Sequence, residues 1–138
     1  MDLARGWDLI ALRDAEPRVM TMLAILAPIE RITMVQHPFG GRRTAMVRLA
    51  GQSAPVPLAS LGDGVRRLLQ IAIEAELAAL ASTQVQHSDP PLQRILLVDE
   101  LDSGVHFSAL PSLWGALLRL AEQRGVQVFA TTHSWDCA

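Results

Sequence analysis

The sequence predicts an α/β fold: half of a three-layer sandwich with parallel core strands, plus a portion built from helix and β-hairpin. Three observations carry this expectation. Residues 94–100 (Arg-Ile-Leu-Leu-Val-Asp-Glu) form an apolar run that ends abruptly in two acids, and residues 126–134 (Val-Gln-Val-Phe-Ala-Thr-Thr-His-Ser) form a second run that ends in hydroxyls and a histidine. A helical segment lies between them, and strands joined through a helix pair in parallel. Further upstream, two alternating runs flank a short glycine-rich loop, which is the pattern of a hairpin.

Composition narrows the class. The chain has 138 residues, half of them hydrophobic, which suffices for one domain with its own core and argues against disorder. A net charge of −2 creates no basic field toward nucleic acid. All twelve basic residues are arginine, and there is no lysine. The single cysteine, Cys137, excludes an internal disulfide and a cysteine-based zinc site, which fits a reducing cytoplasm. No signal-peptide pattern opens the chain, and no apolar run reaches the ~18 residues of a membrane span. The longest apolar helix is interrupted by Glu74 and Glu76. A soluble, cytoplasmic chain without membrane contact is expected.

Taken in order, residues 1–13 hold Trp7, Leu9, Ile10 and Leu12 without a clear period. Asp14 is placed to cap a helix, with Glu16 and Pro17 in its first turn and Val19 to Leu26 continuing it to Pro28. Residues 29–36 alternate as a half-buried strand, Pro38, Gly40 and Gly41 make a turn, and residues 44–49 form the returning strand. Residues 51–57 read as loop, and 84–91 as a polar connection closed by a proline pair. The helix between the two parallel strands runs over 109–124, with Pro111 in its first turn and Gly125 just past its end. Trp114 on its apolar face is core.

A second notable stretch is Leu58-Ala59-Ser60-Leu61-Gly62-Asp63-Gly64. Ser60 is placed as an N-cap with Asp63 three residues on, and a helix follows to about Ala81 along Leu61, Val65, Leu68, Leu69, Ala72, Ile73, Leu77 and Leu80. Each glycine in a first helical turn costs ~1 kcal/mol against alanine. Gly62 and Gly64 therefore either shape the entry turn or let another group approach amides at a helix N-terminus, a natural anion site.

Ligands in open α/β sheets bind beyond the carboxyl ends of the strands, where both polar strand ends fall. Asp99 and Glu100 could be a metal site, an acid/base pair or solvated turn residues. Neighbours on a strand face opposite ways, so the two would do different jobs: one holds magnesium through oxygen ligands while the other orients water. His133 could reach the same reacting group. A metal site made from Asp99, Glu100, His106 and His133 is a weaker alternative, since no helical histidine pair supports it.

Residues 95–100 resemble the Walker B strand of ABC-type ATPases. Residues 60–64 resemble their signature motif, with Ala59 where leucine is usual. Residues 101–106 stand where the D-loop follows, and 131–134 are similar to the switch-histidine segment. The order and spacing of all four match, and together they are far more specific than any one. The nearest likeness is to AAA-type, ABC-like P-loop NTPases, the group that includes overcoming-lysogenization-defect nucleases and DNA repair or phage-defence ATPases. It runs from about Trp7 to the last residue.

This resemblance implies roles. Asp99 would hold Mg2+ through water, Glu100 would polarise the attacking water, and His133 would sense the γ-phosphate of ATP. Ser60, Gly62 and Gly64 would close over ATP held by a second protomer, and the D-loop residues Asp102 and His106 would line the interface. Arg66 and Arg67 would face that interface or the partner's phosphates, or else form a solvated helix surface. A homodimer or a P-loop-bearing partner segment is implied, and DNA or a nuclease effector is compatible.

One departure is large. A P-loop requires Gly-x-x-x-x-Gly-Lys-Ser/Thr, and a chain without lysine has none. The cluster Gly40-Gly41-Arg42-Arg43-Thr44 has the wrong spacing, and arginine is a poor substitute in so tight a cradle. The chain therefore reads as one partial ATPase domain, with a helix-plus-hairpin region at 1–57 and a signature, Walker B and switch core at 58–138. It is expected to be inactive alone and, with an exposed sheet edge, prone to associate. A non-catalytic dimerisation module is the competing reading.

Overall fold

The computed structural model describes residues 2–36, 40–81 and 94–134. Pro38, the 84–91 connection and Cys137 lie outside them. The first helix, α1 (Leu3–Ile10), falls where the sequence shows no period. The Asp2 carboxylate accepts from the Ala4 amide at 3.2 Å, and Ala4, Trp7 and Ile10 turn inward. α2 (Ala15–Leu23) starts as expected after Asp14, but the Asp14 side chain makes no capping bond. Glu16 reaches back to the Leu12 amide instead, at 2.7 Å. The helix ends at Leu23 and turns continue to Pro28.

β1 (Ile29–Val35) and β2 (Thr44–Leu49) form the expected antiparallel hairpin, with Ile32 opposite Val47. A short third strand, β3 (Val56–Pro57), pairs with β2 in a segment that reads as loop in the sequence. It is an edge strand of the sheet, where a proline's missing N–H costs little.

α3 (Asp63–Ala81) is the central element, packed against α1, α2, β4 (Ile95–Val98) and α4 (Leu110–Arg124). Val65, Leu68, Leu69, Ala72 and Ile73 are buried as their spacing predicts. Ile71, Ala75 and Ala79 are buried too, so the helix is enclosed on more than one side. Glu76 is also fully buried, and this is tolerable because it is paired. Arg18 of α2 grips it from Nε at 2.6 Å and from Nη2 at 2.9 Å, and Arg124 of α4 (Leu110–Arg124) approaches at 3.7 Å. One carboxylate thus ties three helices together.

β4 (Ile95–Val98) and β5 (Gln127–Ala130) pair in parallel, Ile95 with Gln127 through Val98 with Ala130. They are not buried on both faces, as an apolar run suggests. Leu96 and Val98 face the core, while Ile95, Leu97 and Phe129 are exposed, Leu97 at 72%. α3 packs on β4 and α4 on β5, so the described residues cover one face of this sheet. α4 ends at Gly125, whose φ of +61° suits glycine, and Arg94 donates to the Arg124 carbonyl at 2.6 Å. Among the described residues, no helix is long and apolar enough to cross a membrane.

Candidate functional site

β4 stops at Val98, so Asp99 and Glu100 lie in the bend beyond it. What separates their directions is therefore backbone conformation and not strand alternation. Glu100 has φ +48°, a left-handed conformation that costs a side-chain-bearing residue ~1 kcal/mol or more. The bend is held from the end of β5. The Thr131 amide donates to Val98 O and the Leu101 amide to Thr131 O, each at 2.9 Å, which extends the ladder past both strands. The Thr131 hydroxyl donates to the Asp99 carboxylate at 2.6 Å and accepts from the Glu100 amide at 2.9 Å.

The next pair repeats the device. The Thr132 hydroxyl donates to Asp102 Oδ1 at 2.7 Å, and the same oxygen accepts from the His133 amide at 3.3 Å. These contacts, the Thr132 hydroxyl foremost, hold the Asp102 carboxyl below its ordinary pKa, with the nearby His133 adding to the effect. The result brings His133 Nε2 to 3.4 Å from Glu100 Oε1. Both side chains stay open to solvent, 80% and 52% exposed. Asp99, Glu100, Asp102 and His133 therefore form one cluster, stapled by two threonines that the sequence reading left without a role. Successive hydroxyls at a strand end, opposite two spaced aspartates, were the available signal.

The other sequence candidates sit differently. His106 caps a 3-10 turn at Phe107–Ala109: Nδ1 takes the Ser108 amide at 3.3 Å, and its ring lies 4.3 Å from that of Phe107. It does not complete a ligand set; among the described residues, no group of three or more His, Cys, Asp or Glu side chains is assembled for a metal. Ser60 is not a helix N-cap. It lies in a 3-10 turn at Leu58–Leu61, and its hydroxyl donates to the Pro57 carbonyl at 2.7 Å. α3 begins only after Gly62, whose φ of +93° and ψ of 164° break the chain direction.

Gly64 resolves half of the glycine question. A Cβ there would collide with the Gly104 carbonyl, so the group that approaches this backbone belongs to the 101–106 turn. Gly104 is constrained in return, with φ +74° and its own Cβ direction 3.0 Å from the Gly64 nitrogen. Arg67 is half-buried at the edge of α3. Its guanidinium donates to the Asp99 main-chain carbonyl. A shallow cleft of about 310 Å³ lies here, lined by Asp63, Arg66, Arg67, Gln70 and Ser103.

Asp99 is exposed with one oxygen engaged by Thr131. A single carboxylate of this kind fits magnesium, which keeps several waters and takes further ligands from phosphates.

A search of curated proteins finds no match to the chain. The family described as "AAA domain, putative AbiEii toxin, Type IV TA system" matches residues 4–136, nearly the whole sequence. With its mixed α/β architecture and its parallel strand pair ending in polar residues, the chain belongs to this AAA-domain family of P-loop NTPase type.

Proposed function

We propose that the chain is the hydrolytic half of an ABC-like AAA ATPase, acting on ATP whose phosphates are cradled by a P-loop from another segment or protomer. The observation that carries this reading is the approach of Glu100 and His133 to 3.4 Å at the ends of two parallel strands, both open to solvent. Glu100 takes the role of orienting and polarising the attacking water, and His133 contacts the γ-phosphate. Asp99 holds Mg2+ through water; the ion, when bound, neutralises charge on the phosphates. Ser60, Gly62 and the start of α3 contact ATP across a homodimer or a hetero-assembly, with Asp102 and His106 at the seam. Further partners, DNA or a nuclease effector, follow from the likeness to the wider group.

The test is reconstitution. The purified chain should not turn over Mg-ATP; with a P-loop-bearing segment of the same family supplied, turnover should appear, and Glu100→Gln should abolish it. Magnesium-dependent hydrolysis by the chain alone, or by the Glu100→Gln assembly, contradicts the reading.

A second reading, a non-catalytic association module, is favoured by one observation: the apolar outer face of the β4–β5 sheet at Ile95, Leu97 and Phe129. On that reading Glu100→Gln and His133→Ala leave assembly unchanged, and sedimentation is the same with and without ATP.

A further inference from the structure

The peptide unit joining Asp99 to Glu100 is gripped from both sides. Its carbonyl accepts from the Arg67 guanidinium of α3, and its N–H donates to the Thr131 hydroxyl at the end of β5 at 2.9 Å. A residue at φ +48° returns to ordinary backbone by rotating the peptide plane before it, which swings that carbonyl and N–H together. With both groups held, this rotation is blocked. The Glu100 carboxylate then stays on the side where His133 lies. Arg67 is specialised for this contact: its Nε is buried without a hydrogen-bond partner among the described residues, so the guanidinium gives up solvation to reach the carbonyl.

Arg67 also sits one helical turn after Asp63, at the start of α3. The same first turn abuts the far side of the 99–106 turn, through the Gly64–Gly104 backbone contact. The start of the helix thus touches both ends of the turn that carries the acids, at Asp99 and at Gly104. Any displacement of the 60–64 loop that shifts this helix end moves the Arg67 guanidinium relative to the Asp99 carbonyl.

We propose that Arg67 is a positioning residue that locks the Asp99–Glu100 peptide, coupling the placement of the 60–64 loop to the orientation of the Glu100 carboxylate. The inference rests on the reading of Glu100 as the water-polarising group, but the geometric part can be tested apart from it. Amide hydrogen exchange is followed by NMR in the full chain for Arg67→Met, Arg67→Lys and Arg66→Met, the last an exposed neighbour on the same helix. Arg67→Met should speed exchange at the Glu100 amide about tenfold, the scale of one hydrogen bond to a charged donor, with the β4 and β5 amides unchanged. Arg67→Lys, which keeps a donor, should recover part of the protection, and Arg66→Met should have no effect. Unchanged exchange at Glu100 in Arg67→Met, or a uniform rise across β4, β5 and α3, overturns the proposal. In the reconstituted ATPase, Arg67→Met should lower kcat with KM for ATP held. If Glu100→Gln removes turnover while Arg67→Met leaves kcat at wild type, the coupling fails and the assignment of Glu100 stands. If the wild-type assembly never turns over, that assignment fails, and exchange still decides the lock.

Discussion

Gly64 and Gly104 meet backbone to backbone, with no room for a Cβ on Gly64 and with Gly104 in the left-handed region. This contact seats the start of α3 on the turn that follows the acid pair. Gly64→Ala should therefore destabilise the chain by ~1–3 kcal/mol through overpacking against main chain that cannot yield cheaply. Gly62→Ala should cost a similar amount for a different reason, since its φ of +93° and ψ of 164° belong to glycine and, among the described residues, nothing crowds it. Urea melts would give both losses. Amide exchange separates them: only Gly64→Ala should deprotect residues 101–105.

Thr131 carries two hydrogen bonds with one hydroxyl, donating to Asp99 and accepting from the Glu100 amide. Thr131→Val keeps the shape and removes both. The expected loss is about 1 kcal/mol in stability, because the freed groups reach water. The larger effect should be local, with faster exchange at Glu100 and, in a reconstituted ATPase, reduced kcat. Thr131→Ser should behave nearly as wild type. If valine and threonine give the same Glu100 exchange, the staple is not what holds the bend.

Asp102 gives a pH dependence with a definite sign. Its carboxyl is held below the ordinary value of 3.8, first of all by the Thr132 hydroxyl. A lowered folded-state pKa means the carboxylate stabilises the turn fully above that ordinary value, and the contribution fades as pH falls through the lowered one. The Asp102 carboxyl carbon signal should therefore stay constant from neutral pH down to about pH 4 and shift below it. Asp102→Asn should remove that transition. A transition centred above pH 4 would contradict the assignment.

These contacts explain which parts of the molecule were legible in the sequence. The parallel strands, the hairpin, α3 and α4 follow from long apolar periods with clear stops, such as the one at Gly125. α1 was missed because Asp2, Trp7 and Ile10 offer one cap and two anchors, too short a pattern to fix a period. β3 was missed because two residues ending in proline carry no strand signal. Among the site candidates, the gathering of Asp99, Glu100 and His133 was readable, since parallel strands place their ends together. The left-handed Glu100, the Gly64–Gly104 contact and the reach of Arg67 to the Asp99 carbonyl were not. Each depends on a neighbour distant in sequence, and local residue preferences do not encode such partners.

The buried Glu76 tests the core by asymmetry. Its carboxylate has no solvent exposure, whereas Arg18 and Arg124 remain 31% and 28% exposed. Removing the acid leaves two partly exposed arginines, but removing Arg18 leaves an enclosed carboxylate whose remaining cation among the described residues is Arg124, at 3.7 Å. Arg18→Met should therefore cost ~3–5 kcal/mol, and Glu76→Met clearly less. Substituting both should restore most of what Arg18→Met loses, because a buried ion pair exchanged for apolar side chains of similar volume is often near neutral. Chemical denaturation of the two single variants and the double variant forms a complete cycle, with a favourable coupling between Arg18 and Glu76 expected. If the two single losses add in the double variant, the ion pair contributes nothing specific and the three helices are joined by apolar packing alone.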